Sequence, residues 1–302
     1  MLKSFLKNFK ILINFFYSLR VLEDIKINQG KILIELSKLH PPYKNLQDYE
    51  FKIFSQWGED GIIQRLINNI EIKNKTFIEF GVEDFLESNC RFLMVNNNWS
   101  GYVIDSSDNN IKRLKHSSMY WKYDLHAVSA FINKKNINRI LRESNFDSDL
   151  GILSIDIDGV DYWIFQEIEY FRPRILILEY NSIFGEDRTI TVPYEEDFFR
   201  TKKHYSNLYY GASLPALIHL ASKKGYSLVG TSSAGGNAFF VLDTLLNEKI
   251  SPVTLGAGFT LTKTRESRDR RGNLTYLNGD SRLKAIRGLP VVNVLTGRME
   301  DL

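Results

Sequence analysis

Short apolar runs alternate with helix-patterned segments from residue 54 to about 180, and this alternation constrains the chain more than any other feature. The runs at 75–80, 101–105, 150–156 and 174–179 (the last reading RILILE) are nearly continuous in apolar side chains. Strands of that kind are buried on both faces, which requires helices above and below a parallel sheet. A third strand is expected at 120–124. Helices are expected at 58–69, 85–97, 125–141 and 162–171, from apolar residues at near-helical spacing such as Ile62, Ile63, Leu66, Ile67 and Ile70. The pattern then changes. Residues 212–224 read as an amphipathic helix stopped by Gly225, and 226–230 and 238–242 as two strands joined by a short Ser, Ala and Gly-rich link. The last strand is therefore expected to run antiparallel. The fold class is α/β, a doubly wound, mostly parallel seven-stranded sheet of the Rossmann-like kind, with that antiparallel closing strand.

The flanks set the domain boundaries at 1–45 for an N-terminal helical extension, 46–245 for the sheet domain and 246–302 for a basic C-terminal extension that contains TRESRDRRGN. Residues 1–22 crowd apolar and aromatic side chains around Lys3, Lys7, Lys10 and Arg20. A helix of this type either lies at a membrane surface, binds a partner or second copy, or packs on its own domain. Pro41 and Pro42 then break the chain. The net charge of +3 over 302 residues gives no case for nucleic-acid binding. Cys90 is the only cysteine, which excludes an internal disulfide and fits a cytoplasmic protein, with peripheral membrane association left open.

In an open α/β sheet, ligands sit beyond the carboxyl ends of the strands at the switch point. Glu79 and Gly81 end the first strand, Asp105 the second and Asp124 the third. A glycine lets backbone approach a ligand, and Asp105 is placed to accept both ribose hydroxyls. Any one of these acids can equally be a helix cap; three in order are a stronger signal. Asp156 and Asp158 stand two apart, so an extended strand would turn them to one face; Asp161 follows, and Glu179 and Asn181 close the neighbouring strand. Such oxygen ligands suit Mg²⁺ or Mn²⁺, or form a hydrogen-bonded carboxylate rim without metal. His204, in RTKKHY among Tyr194, Tyr205, Tyr209 and Tyr210, is a candidate general base or a surface histidine.

Ser55-Gln56-Trp57-Gly58-Glu59-Asp60, Phe77-Ile78-Glu79-Phe80-Gly81, Ser88-Asn89, Trp99 to Asp105 and Leu153 to Gly159 together resemble the FkbM-type methyltransferases, with their SQxGED, FIEIGAxDG, SNT and GWxGxxIE patterns. Glu83 stands where the glycine-rich loop usually has a second glycine. The resemblance implies an S-adenosylmethionine-dependent O-methyltransferase acting on a hydroxyl of a sugar or glycan precursor, with cation assistance by Asp156, Asp158, Glu179 and Asn181 as an option. Gln56, Glu79, Gly81, Asn89, Asp105, Asp124 and Asp156 would hold the cofactor, and Asp158 and His204 would serve catalysis. The alternative is a non-catalytic binding or scaffold protein that keeps the fold. A nicotinamide oxidoreductase is disfavoured, because no full G-x-G-x-x-G follows the first strand.

Overall fold

A computed structural model of the chain describes residues 2–39 and 45–302, and side chains in the first stretch from residue 21 onward. The expected break at Pro41–Pro42, and the side chains of Lys3, Lys7, Lys10 and Arg20, lie outside the described residues. In chain order the elements are α1 (Leu2–Leu39), α2 (Glu59–Ile67), β1 (Thr76–Phe80), α3 (Arg91–Asn97), β2 (Ser100–Asp105), α4 (Asp108–His116), α5 (Ser118–Lys122) and β3 (Leu125–Ser129). Next come α6 (Ile137–Arg142), β4 (Ile152–Ile155), α7 (Asp161–Glu167), β5 (Ile175–Glu179), β6 (Ile190–Thr191), α8 (Arg200–Lys203) and α9 (Leu214–Lys223). The chain finishes with β7 (Tyr226–Thr231), β8 (Asn237–Leu242), α10 (Leu255–Gly258), α11 (Asp280–Ile286), β9 (Pro290–Asn293) and β10 (Arg298–Asp301).

The main sheet has seven strands in the order β3-β2-β1-β4-β5-β8-β7. The first five pair in parallel, and β8 runs antiparallel to both β5 and β7. Strand alternation divides the core between the two faces. Ile78 and Phe80 of β1 and Leu176 and Leu178 of β5 pack with α6, α7 and α9, whereas Phe77, Ile175 and Ile177 pack with α2, α3 and α4. The chain first moves outward from β1 through β2 to β3, then crosses back to β4, so the switch point falls between β1 and β4. A crevice opens there without further design, because the connections leave in opposite directions.

The third strand corrects the sequence reading. Residues 120–124 are not a strand: Ser118–Lys122 is a short helix, and the strand is Leu125–Ser129, which had been expected to begin a helix. β3 is an edge strand, with Leu125 and Ala127 buried and His126 exposed, so it lacks the continuous apolar run that marks the central strands. The helix expected over 85–97 begins only at Arg91. Phe85 has φ +63°, and the backbone N–H groups of Asn89 and Cys90 are bound by the Glu79 carboxylate, which holds 85–90 as a loop.

Both flanks lie on the body. On α1, Ile34 packs with Ile53, Phe54 and Phe92, and Glu23 pairs with Arg91 at 2.7 Å. Leu22, Ile25, Ile32 and Leu39 of the same helix are exposed. None of the described helices is long and apolar enough to cross a membrane. The segment 246–302 does not trail away. β9 pairs with β6, β10 pairs with β9, and Glu300 binds Arg188 at 2.8 Å.

Candidate functional site

A cleft of about 1040 Å³ opens at the carboxyl ends of β1, β2, β4 and β5, and the C-terminal segment supplies one wall. On the β1 side, Gly81 has φ +72°, and a Cβ there would lie 1.7 Å from the Asp156 carbonyl oxygen. This position is glycine because β1 and β4 meet at the switch point, an approach between backbones as much as to a ligand. Glu83 adopts φ +48°, so it takes the left-handed turn that a second glycine would take with less strain. Its N–H donates to Asp105 Oδ2 at 2.8 Å, and Ser107 N–H donates to Oδ1 at 2.8 Å. Asp105 thus ties the β1 and β2 loops together at the cleft wall; Oδ1 also accepts from Asn110 Nδ2 at 3.4 Å, and Oδ2 keeps acceptor capacity for a hydroxyl.

Other residues singled out from the sequence serve the walls. Glu79 lines the cleft, but its carboxylate accepts from Asn89 N–H, Ser88 hydroxyl and Cys90 N–H at 2.8, 2.6 and 3.1 Å. Burial raises its pKa against those bonds. Asn89 also lines the cleft, with its amide donating to Ser154 Oγ at 3.2 Å. Gln56 lies on a loop fixed from beneath by two acids. Asp60 Oδ2 accepts the N–H groups of Ile53, Phe54 and Ser55, and Glu59 Oε2 those of Trp57 and Gly58. The acids of the SQWGED run are therefore anchors, and Gln56 and Trp57 are its residues at the cleft.

Asp124 is misplaced by the sequence reading. It precedes β3 instead of ending it, accepts the Ser100 hydroxyl at 2.6 Å, and sits at the amino ends of the strands, away from the cleft. Once the strand is registered as 125–129, Ala130, Phe131 and Ile132 follow its carboxyl end and line the cleft. The Leu125/Ala127 alternation was the signal for that register.

At the floor, Asp156, Asp161 and Glu179 bring one carboxylate oxygen each within 4.8 Å of one another. Burial, then repulsion from Asp158 and Asp161, raises the Asp156 pKa well above the ordinary range. Burial, then Asp156, does the same to Glu179. The two carboxylates lie close together, and Glu179 Oε2 has no hydrogen-bond partner. Asp161 opens α7 and accepts Ile157 N–H at 2.8 Å and Gly159 N–H at 3.0 Å; burial pushes its pKa to about 6. The ligand set expected from sequence changes accordingly. Asn181 is spent on structure: its amide donates to the Leu208 and Tyr210 carbonyls, both at 3.0 Å, and its Oδ1 accepts from Ile183 N–H. Asp158, at φ +54°, leaves the cluster and pairs with Arg200.

His204 does not line the cleft. Its Nδ1 is hydrogen-bonded with Ser206 Oγ at 2.7 Å and its ring lies 4.2 Å from that of Tyr205, because α8 turns it away from the floor. Burial and Arg270 hold its pKa below the usual histidine value. Of the four tyrosines expected around it, Tyr205 and Tyr210 reach the cleft. Arg200 was missed from sequence. It pairs with Asp158, lies 3.7 Å from Glu266, and its guanidinium stands 4.1 Å over the Tyr210 ring. Nothing local in RTKKHY distinguishes it from its basic neighbours; only the fold brings Glu266 to it.

No protein-family model matches the chain, and no curated protein matches it. Solved structures do. One is an S-adenosylmethionine-dependent methyltransferase from Clostridium acetobutylicum, at 9% identity over 71% of this chain and 98% of that one, TM-score 0.37. Another is a methyltransferase from Geobacter sulfurreducens in complex with S-adenosylhomocysteine, at 15% identity over 52% and 59%, TM-score 0.31. A third is the CurJ carbon methyltransferase, at 9% identity over 65% and 56%, TM-score 0.40. The chain spans little more than half the length of several of the structures it matches. The Rossmann-like sheet is defined by the strand order above.

Proposed function

We propose that the chain is an S-adenosylmethionine-dependent O-methyltransferase of the FkbM type, acting on a hydroxyl of a sugar or glycan precursor. The observation that carries this reading is the carboxylate group at the floor of the cleft. Asp156 and Glu179 are held together with raised pKa values and one oxygen unpartnered, beside the switch point. Keeping like charges this close and desolvated costs stability, which a scaffold that only binds has no need to bear.

The residues present fit the cofactor. Asp105 stands where ribose hydroxyls would be accepted, the Gly81–Glu83 turn offers backbone at close approach, and the cleft is large enough to hold cofactor and acceptor together. Bound S-adenosylmethionine supplies a methyl group on a sulfonium, an electrophile with a good leaving group already attached. The protein must then align an acceptor hydroxyl and take its proton. Whichever of Asp156 and Glu179 is ionised would take that proton, and the raised pKa of the pair favours holding it. Phe131 and Phe199, ring centroids 5.0 Å apart and both partly exposed, offer faces on which a sugar ring can stack.

A cation is the second reading, and one observation favours it. Asp156, Asp161 and Glu179 cluster at the floor, and the Arg200 guanidinium that acts on Asp156 and Glu179 is already paired with Asp158. Asp156 and Glu179 would hold Mg²⁺ or Mn²⁺ through all-oxygen ligation, with Asp161 already engaged by backbone. Such an ion would lower the hydroxyl pKa directly. Turnover with nucleotide-sugar and glycan pools before and after EDTA separates the two: loss restored by Mg²⁺ or Mn²⁺ selects the ion, and unchanged turnover selects the carboxylates alone. Absence of S-adenosylhomocysteine binding by calorimetry would leave only the scaffold alternative.

A further inference from the structure

Three arginines are buried to about the same depth, each 6% exposed: Arg91, Arg174 and Arg282. Two of them have an acid. Arg91 meets Glu23 at 2.7 Å, and Arg174 grips Asp149 through Nε at 2.6 Å and Nη2 at 2.8 Å. Arg282, on α11, has none among the described residues. Its Nη1 donates to the Thr264 carbonyl, and its Nε has no partner at all. Glu266, the acid whose charge reaches it, already serves Arg200, Arg268 and Asn207. Arg200 adds a like charge nearby. A desolvated guanidinium without a counterion is strongly unfavourable, which is why buried charges are almost always paired. This one lines the cleft, on the wall formed by 262–282, with Arg268 and Arg270 at the same wall.

We propose that Arg282 receives an oxyanion of the acceptor, a phosphate ester or a carboxylate, so that the acceptor is an acidic sugar derivative and not a neutral one. The inference rests on the methyl-transfer reading for the word acceptor, but the anion site itself does not depend on it. A guanidinium binds either oxyanion through paired N–H donors, and the free Nε is one member of such a pair. The C-terminal segment thereby gains a role: it brings the selecting charge to a cleft whose floor is acidic, and the separation of charge orients the acceptor with its neutral hydroxyl downward.

Calorimetry on the full chain, with and without saturating S-adenosylhomocysteine, tests this with glucose, glucose 1-phosphate, glucuronate and inorganic phosphate as probes. Wild type is expected to bind at least one anionic sugar tenfold or more tighter than glucose. A preference for glucose 1-phosphate identifies a phosphate ester, and one for glucuronate a carboxylate. Arg282→Gln should abolish the preference and Arg282→Lys should restore part of it, with S-adenosylhomocysteine affinity unmoved in both. Equal affinity of wild type for glucose and all the anionic probes overturns the proposal, whatever the variants do. So does a folded Arg282→Gln that keeps the preference. Should Arg282→Gln not fold, the wild-type ranking and Arg282→Lys decide. Failure of wild type to bind S-adenosylhomocysteine would sink the methyl-transfer reading and leave the anion preference to be judged by itself.

Discussion

Replacing Glu179 by Gln should make the protein more stable at alkaline pH, the opposite of what removing a buried hydrogen-bonding acid usually does. Glu179 lies within 4.8 Å of Asp156 and Asp161, oxygen to oxygen. At that separation and an effective dielectric of about 20, two ionised carboxylates repel by about 3 kcal/mol. The native pKa values of Asp156 and Glu179 are raised, and that of Asp161 goes from 3.8 to about 6. A carboxyl whose native pKa exceeds its unfolded value keeps a proton that the unfolded chain has released. Stability therefore falls as pH rises from the ordinary carboxylate range through about 6 and beyond. For Asp161 alone the loss is about 3 kcal/mol when complete. Glu179→Gln keeps the shape, can donate to Asp156, and removes one charge. Urea unfolding of the metal-free protein should then show variant and wild type within about 0.5 kcal/mol at pH 4.5, where the cluster is protonated, and the variant ahead by about 2–3 kcal/mol at pH 8. Mg²⁺ at pH 8 should narrow the gap if an ion binds. A gap that does not vary with pH, or a variant less stable at pH 8, would refute the electrostatic account of the floor.

Other expectations follow from the same geometry. Asp105→Ala should weaken S-adenosylhomocysteine binding by about 1–3 kcal/mol, roughly tenfold to a hundredfold by calorimetry, since ribose hydroxyls lose their acceptor; unchanged affinity would show that the ribose lies elsewhere. Gly81→Ala places a methyl 1.7 Å from the Asp156 carbonyl at φ +72°, where the backbone term alone costs about 1–2 kcal/mol. Urea unfolding should record at least that loss, together with loss of cofactor binding, and a stable, binding variant would contradict the close approach of β1 and β4. His204→Ala should leave turnover within about twofold, because the ring faces Ser206 and Tyr205; a tenfold loss would restore histidine as the base.

Much of this molecule was legible before folding. The central strands are continuous apolar runs because helices cover both of their faces, so β1, β2, β4 and β5 declare themselves along the chain, and strand-end acids such as Asp105 and Asp156 follow by position. The closing hairpin was equally visible, from two strands around a small-residue link. What failed was the edge. β3 is half-buried, its alternation is short, and aromatic residues at 120–123 imitate a strand, so Asp124 was assigned to the wrong end of it. Asn181 and His204 illustrate a different limit. Their side-chain chemistry is right for a ligand or a base, but hydrogen-bond capacity is finite, and which groups consume it depends on the folded backbone: Leu208 and Tyr210, distant in sequence, for Asn181, and the local turn after α8 for His204. The same dependence hid Arg200 as the guanidinium beside the acidic floor, and Arg282 as a buried charge without an acid partner. Sequence determines which segments must be buried, since that is a property of each segment alone. Tertiary structure decides which charges meet, since pairing is a property of two places in the chain that only the folded sheet, with the C-terminal segment laid against it, brings together.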